Sequence, residues 1–243
     1  MSQTLIPSYR SWTKPLTLVW QPIWTPTQER RGEILTRVHP PQTEWLLSPL
    51  KWWQMAATLD PYVVAALDQW VWMRVHVQTP AQWHWHINIW PQTVLVASQW
   101  IADQDPHAIA LEMTEQWPWS PDLWRLFTDV WMARGGRVWV DDWTDPMALP
   151  PWSHLTGVKV DRTVWDVPRF TPAYLAQWTQ FVTRCHDQGL QVVAEGIETV
   201  HQQEAALACG CDGLQGFLWG QPQPWPELES SLDFETSPIR SKH

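Results

Sequence analysis

Eight short apolar runs recur along this chain, and most of them run directly into a strongly polar residue. The stretch QVVAEGIET at 191–199 shows the pattern: Val192, Val193 and Ala194 suit a buried strand, yet the next residue is Glu195. The runs lie at 17–23, 33–38, 83–89, 108–113, 137–142, 156–161, 190–195 and 212–217. Helix-like stretches alternate with them: 61–75, then Ser120-Pro121 to Gly135-Gly136, Thr171-Pro172 to Gly189, and Glu198 to Gly210. Polar or proline starts and glycine ends are the expected helix punctuation. This alternation predicts an α/β fold, a TIM-like (β/α)8 barrel, with a doubly wound open sheet as the alternative. No glycine-rich phosphate loop follows any strand, which counts against the open sheet. The tail after about 221 reads as a final helix and a frayed end.

The polar residues at the strands are of one kind. Asn88, Glu112, the pair Asp141-Asp142, Lys159, Glu195 and Gln215 fall on successive runs, and Glu33 begins an early one. Any one of them could cap the next helix. Together, at the strand ends of a barrel, they converge on one mouth, where catalytic groups gather. Adjacent acids in apolar surroundings stay ionised only if cations compensate them. Oxygen donors of this type suit Mg²⁺ or Mn²⁺, and a doublet such as Asp141-Asp142 can serve two ions. Lys159 is one of only four lysines and sits between Val158 and Val160, where a lone ammonium would be costly and carboxylates would be its partners. A competing reading places zinc on His84 and His86, which share a face with Asn88.

Composition narrows the partners. The formal charge is −9, which argues against duplex nucleic acid but allows an anionic ligand bridged by divalent metal. Cys185, Cys209 and Cys211 have neither disulfide-framework nor zinc-knuckle spacing. No apolar run is long enough to span a bilayer and the N-terminus lacks a secretory pattern, so the expectation is a soluble, cytoplasmic protein. The 23 tryptophans are scattered over the chain rather than gathered on a binding platform, which fits a compositional habit.

Taken in order, these motifs resemble the EAL-domain family of cyclic-di-GMP phosphodiesterases. Glu33-Ile34-Leu35-Thr36-Arg37 is similar to the motif that names the family, with Gln21-Pro22-Ile23 upstream. Asn88-Ile89-Trp90, Glu112-Met113-Thr114-Glu115, Asp141-Asp142, Lys159-Val160-Asp161, Glu195 and Gln215-Gly216-Phe217 follow in the family's order. The resemblance covers about 17–222. It implies a single barrel domain over 1–243, a stand-alone EAL domain with terminal extensions and one antiparallel strand. It implies metal ligands Glu33, Asn88, Glu112, Asp141 and Asp142, with Asp141 bridging two ions, Mg²⁺ or Mn²⁺, and Ca²⁺ inhibitory. Lys159, Glu195 and Gln215 would be catalytic; Gln21, Arg37, Asp60 and Phe217 would contact cyclic-di-GMP. The expected product is the linear dinucleotide pGpG.

One segment departs from the family pattern. After the double aspartate the family has a glycine-containing loop linking the metal site to a dimer face, steadied by the acid at Glu115. This chain has Trp143-Thr144-Asp145-Pro146-Met147-Ala148, without glycine and stiffened by proline. The metal ligands imply an enzyme, the loop leaves a homodimer open, and the alternative is a degenerate member that binds the dinucleotide or a protein partner without hydrolysis.

Overall fold

In the computed structural model, which describes residues 16–27, 29–38, 61–78, 83–107, 109–114 and 120–225, all eight expected strands form. They are β1 (Leu16–Trp24), β2 (Arg30–Val38), β3 (Trp83–Asn88), β4 (Ile109–Thr114), β5 (Arg137–Trp143), β6 (Gly157–Val160), β7 (Gln191–Ala194) and β8 (Gly213–Gln215). Strands β2 to β8 run parallel, each bonded to the next. Strand β1 is antiparallel to both β2 and β8 and closes the barrel. The fold is therefore the TIM-like barrel with one reversed strand.

The N-terminal acid of the expected second strand lies deeper than its place in the apolar run suggests. Strand β2 starts at Arg30, and Glu33 sits within it, opposite Gln21 of β1. At the tail, Gln223–Pro224 form a short strand, β9, against Val19 and Trp20 of β1, where a helix had been expected. Residues from 226 onward lie outside the described residues.

The helices are α1 (Pro61–Gln78), α2 (Pro91–Ala102), α3 (Pro121–Ala133), α4 (Pro172–Asp187) and α5 (Val200–Ala208). Thr171 caps α4 by accepting from the Tyr174 N–H, and Thr199 with Gln202 forms a reciprocal capping box on α5. Helix α2 was not anticipated. Its N-cap residue, Trp90, offers no side-chain cap, and the role passes to Asp68 of α1. Asp68 accepts from the Trp90 N–H at 3.1 Å and the Thr93 hydroxyl at 2.5 Å.

Tryptophan fills this fold by bulk. Trp139 points into the barrel with Ile23, Ala110 and Val193. Gly157 on the neighbouring strand makes room for it, since a Cβ there would lie 2.5 Å from the indole ring. Among the described residues, the buried indole N–H groups of Trp72, Trp139, Trp165 and Trp178 have no hydrogen-bond acceptor. Such groups cost about 1–3 kcal/mol each when unsatisfied, so these rings serve packing rather than recognition. The three cysteines are free and buried, and burial pushes the Cys185 thiol up to about 12.

Candidate metal centre

Strand alternation alone would send Asp141 and Asp142 to opposite faces of β5. The chain avoids this with a bulge. Strand β5 pairs with β6 through Val140–Val158 and then Trp143–Val160, so β5 carries one extra residue between those pairs. Asp142 occupies the bulge at φ 57°, a left-handed conformation that aspartate tolerates better than most residues. Both carboxylates consequently line the same cavity.

Two groups of acids result, each with ligand atoms within 4.8 Å of one another: Glu33, Glu112 and Asp141, and Asp141, Asp142 and Glu195. Asp141 belongs to both. Lys159, fully buried, reaches Glu195 at 2.6 Å, Glu112 at 2.9 Å, Glu33 at 3.0 Å and Asp141 at 3.1 Å. One ammonium thus faces four carboxylates, with a fifth beside them.

The imbalance appears in their protonation. Burial, then the charge of Glu33, pushes Glu112 well above the usual carboxylate range, although Lys159 opposes the shift. Burial likewise raises Glu195 strongly and Asp141 more modestly. Asp142 is raised to about 7 by burial and by the adjacent Asp141. For Glu33 burial acts in the same upward direction, but Lys159 and the hydrogen bond from Gln215 outweigh it and the net shift is downward. Burial would depress Lys159, and its four acids overcome this and hold it well above the ordinary value. The residues fit divalent cations: among the described residues Glu112 Oε2 is buried without a hydrogen-bond donor, and the ligand atoms are all oxygens.

The remaining expected residues divide. Asn88 stands at the end of β3 and donates its amide N–H to Glu33 Oε1 at 3.0 Å. Gln215 donates to Glu33 Oε2 at 2.7 Å and holds that acid in place. Gln21 donates to the Gly220 carbonyl at 3.0 Å and lines the cavity with Arg37 and Phe217, whose ring is 55% exposed. Asp60 and Glu115 lie outside the described residues. The zinc alternative does not assemble: His84 pairs with Glu29 at 3.4 Å while His86 meets Glu112 at 2.8 Å, and no histidine joins a metal-capable group among the described residues.

The cavity has a volume of about 480 Å³, within the range of small-molecule sites. Asp68, Arg162 and Glu198 also line it and were not anticipated. Asp68 had a sequence signal, an acid within the apolar run 63–72, but helical spacing does not reveal which tertiary cavity an acid enters.

Fold and site define a (β/α)8 barrel whose mouth carries a carboxylate centre able to hold divalent metal. The chain matches the EAL domain family model over residues 12–222 and belongs to that family. Among curated proteins it is similar to the bifunctional diguanylate cyclase/cyclic di-GMP phosphodiesterase MucR of Pseudomonas aeruginosa, 51% identical over 132 residues. That match covers 53% of this chain and 19% of MucR, so it spans under a fifth of the relative's length. Among solved structures, the manganese/cyclic-di-GMP complex of Klebsiella pneumoniae BlrP1 superposes with TM-score 0.70 at 20% identity, covering 91% of this chain and 58% of that one. The FimX EAL domain of Pseudomonas aeruginosa, bound to cyclic-di-GMP, superposes with TM-score 0.73 at 12% identity, covering 89% and 95%. At these identities the structural likeness concerns the fold.

Proposed function

We propose that this chain is a metal-dependent phosphodiesterase that hydrolyses cyclic-di-GMP to the linear dinucleotide pGpG. The observation that carries the reading is the pair of carboxylate groups sharing Asp141 beside a buried lysine. Glu33, Asn88, Glu112 and Asp141 would hold one ion, and Asp141 with Asp142 the other. Two bound Mg²⁺ or Mn²⁺ ions would polarise the phosphodiester and lower the pKa of a bound water. Lys159 and Glu195, 2.6 Å apart, are the pair that would hold the attacking water and receive its proton. Gln215 keeps Glu33 oriented; Gln21, Arg37 and Phe217 supply the nucleotide-facing walls, and Asp60 remains a proposed base contact. Glu115 is the proposed support of the loop after Asp142. Among the described residues no helix is long and apolar enough to cross a membrane.

The metal requirement has a direct test. Turnover is expected in Mg²⁺ or Mn²⁺ and suppression in Ca²⁺, whose larger radius and higher coordination number loosen the site. Full hydrolysis in excess chelator contradicts the proposal.

The loop supports a second reading, a member that binds cyclic-di-GMP and cuts it slowly or not at all. Its segment is tied down: the Trp143 indole donates to the Asp145 carbonyl at 2.7 Å and the Met147 N–H to Asp145 Oδ1 at 2.8 Å. Arg184 of α4 donates to the carbonyls of Met147, at 3.0 Å, and Pro146, at 2.5 Å. A loop so held transmits little from a dimer face to Asp142. The expected result is slow turnover with constant specific activity over roughly a hundredfold dilution, and a faster enzyme when residues 143–146 are replaced by Phe-Gly-Thr-Gly. Specific activity that climbs with protein concentration counts against this account of the loop.

A further inference from the structure

His86 does not bind metal in this arrangement, yet it touches a residue that would. It lies on β3 directly opposite Glu33 of β2, buried, with its ring tilted against Trp139 at 5.0 Å. Its Nδ1 is 2.8 Å from Glu112 Oε1. The same oxygen faces the Lys159 ammonium at 2.9 Å. Oε1 thus meets a ring nitrogen by a hydrogen bond and an ammonium by an ion pair. The partner oxygen, Oε2, is equally buried and accepts no hydrogen bond among the described residues, and Glu112 also neighbours the Glu33 carboxyl. The two oxygens of one acid are therefore unequal: one meets a histidine and a lysine, and the other accepts from no donor among the described residues.

We propose that His86 is a positioning residue that restricts Glu112 to one metal-binding oxygen and so biases the centre toward Mg²⁺ or Mn²⁺ over Ca²⁺. The proposal rests on the metal reading above. Mg²⁺ demands near-ideal octahedral geometry with short bonds, which monodentate carboxylates provide. Ca²⁺ takes six to eight oxygens and readily accepts both oxygens of a carboxylate. In the tautomer with its proton on Nδ1, His86 donates to Oε1, withholds that oxygen from the cation and keeps the carboxylate plane from turning. Hydrogen bonds of this kind, from a neighbour to a ligand, typically alter metal affinity by about 10–100-fold. Lys159 alone would not suffice, since its ammonium is shared among four acids, whereas the Nδ1 contact goes to Glu112 alone among the described residues. The histidine pair that suggested zinc on spacing thus has divided work: His84 belongs with Glu29, Arg137 and Arg31 at the opposite end of β3, and His86 serves the mouth.

Calorimetric titration of wild type, His86→Leu and His86→Asn with Mg²⁺, Mn²⁺ and Ca²⁺ tests this. Asparagine can present an N–H close to the position of Nδ1, and leucine cannot. The expected result is that His86→Leu shifts the ratio of Ca²⁺ to Mg²⁺ affinity toward Ca²⁺ by about tenfold or more, while His86→Asn stays near wild type. An unchanged ratio in a folded His86→Leu overturns the inference. A second measurement needs no variant: in a crystal structure of the wild type with Mn²⁺, Glu112 is expected to reach the ion through Oε2 only, with His86 on Oε1. A bidentate Glu112 overturns the proposal. Wild type that binds none of the three ions would instead remove the metal reading itself, and this inference with it.

Discussion

Glu33→Ala and Asp141→Asn are each expected to remove hydrolysis, by more than about 10³-fold in kcat. The two acids have different positions and the same consequence. Glu33 receives Asn88, Lys159 and Gln215 from three other strands, so its loss unties side chains as well as deleting a proposed metal ligand. Asp141 belongs to both carboxylate groups, and its conversion to an amide removes charge from both at once. Calorimetry on the same samples is expected to show loss of metal binding. A purified, folded Asp141→Asn variant that turns over within tenfold of wild type would remove the shared aspartate from the mechanism.

The second large effect concerns the buried pair. Lys159→Ala and Glu195→Gln are expected to cut turnover by at least about 10²-fold, the usual scale for positioned acid–base groups, while most nucleotide binding survives. Survival is expected because Lys159 is fully buried beneath the acids, and although Glu195 lines the cavity, its change to glutamine keeps the side chain's size while the proposed nucleotide contacts Arg37 and Phe217 are untouched. Lys159→Ala carries a further expectation. Its ammonium offsets four carboxylates, three of them buried, so the variant is expected to be less stable without metal and to regain stability on adding it. Product assays and thermal melts on one preparation check both parts. Near-wild-type turnover in either variant would exclude that residue from the reaction.

The barrel was legible because its signal is repeated. Eight apolar runs alternate with helices bounded by Ser120-Pro121, Thr171-Pro172 and the glycines that follow, and local chemistry decides each boundary. Helix α2 escaped because its cap is not local: Asp68 supplies from another helix what Trp90 lacks. Strand β9 escaped because two residues bonded to β1 carry no periodicity of their own. At the mouth, residue types pointed to the acids, but two features needed three dimensions. One is the bulge that turns Asp142 to the same side as Asp141, which depends on the register with β6. The other is His86, whose spacing with His84 resembles a ligand pair although its partner, Glu112, comes from the next strand.

The role proposed for the shared-aspartate centre is chemistry on cyclic-di-GMP rather than only holding it. Incubating the purified protein with Mn²⁺ or Mg²⁺ and cyclic-di-GMP in large molar excess, then separating the products by chromatography, tests that role directly. The linear dinucleotide is expected to accumulate to many equivalents per protein, and not to form with Asp141→Asn. Intact cyclic-di-GMP after prolonged incubation, with binding demonstrated on the same protein and metal, would contradict that role.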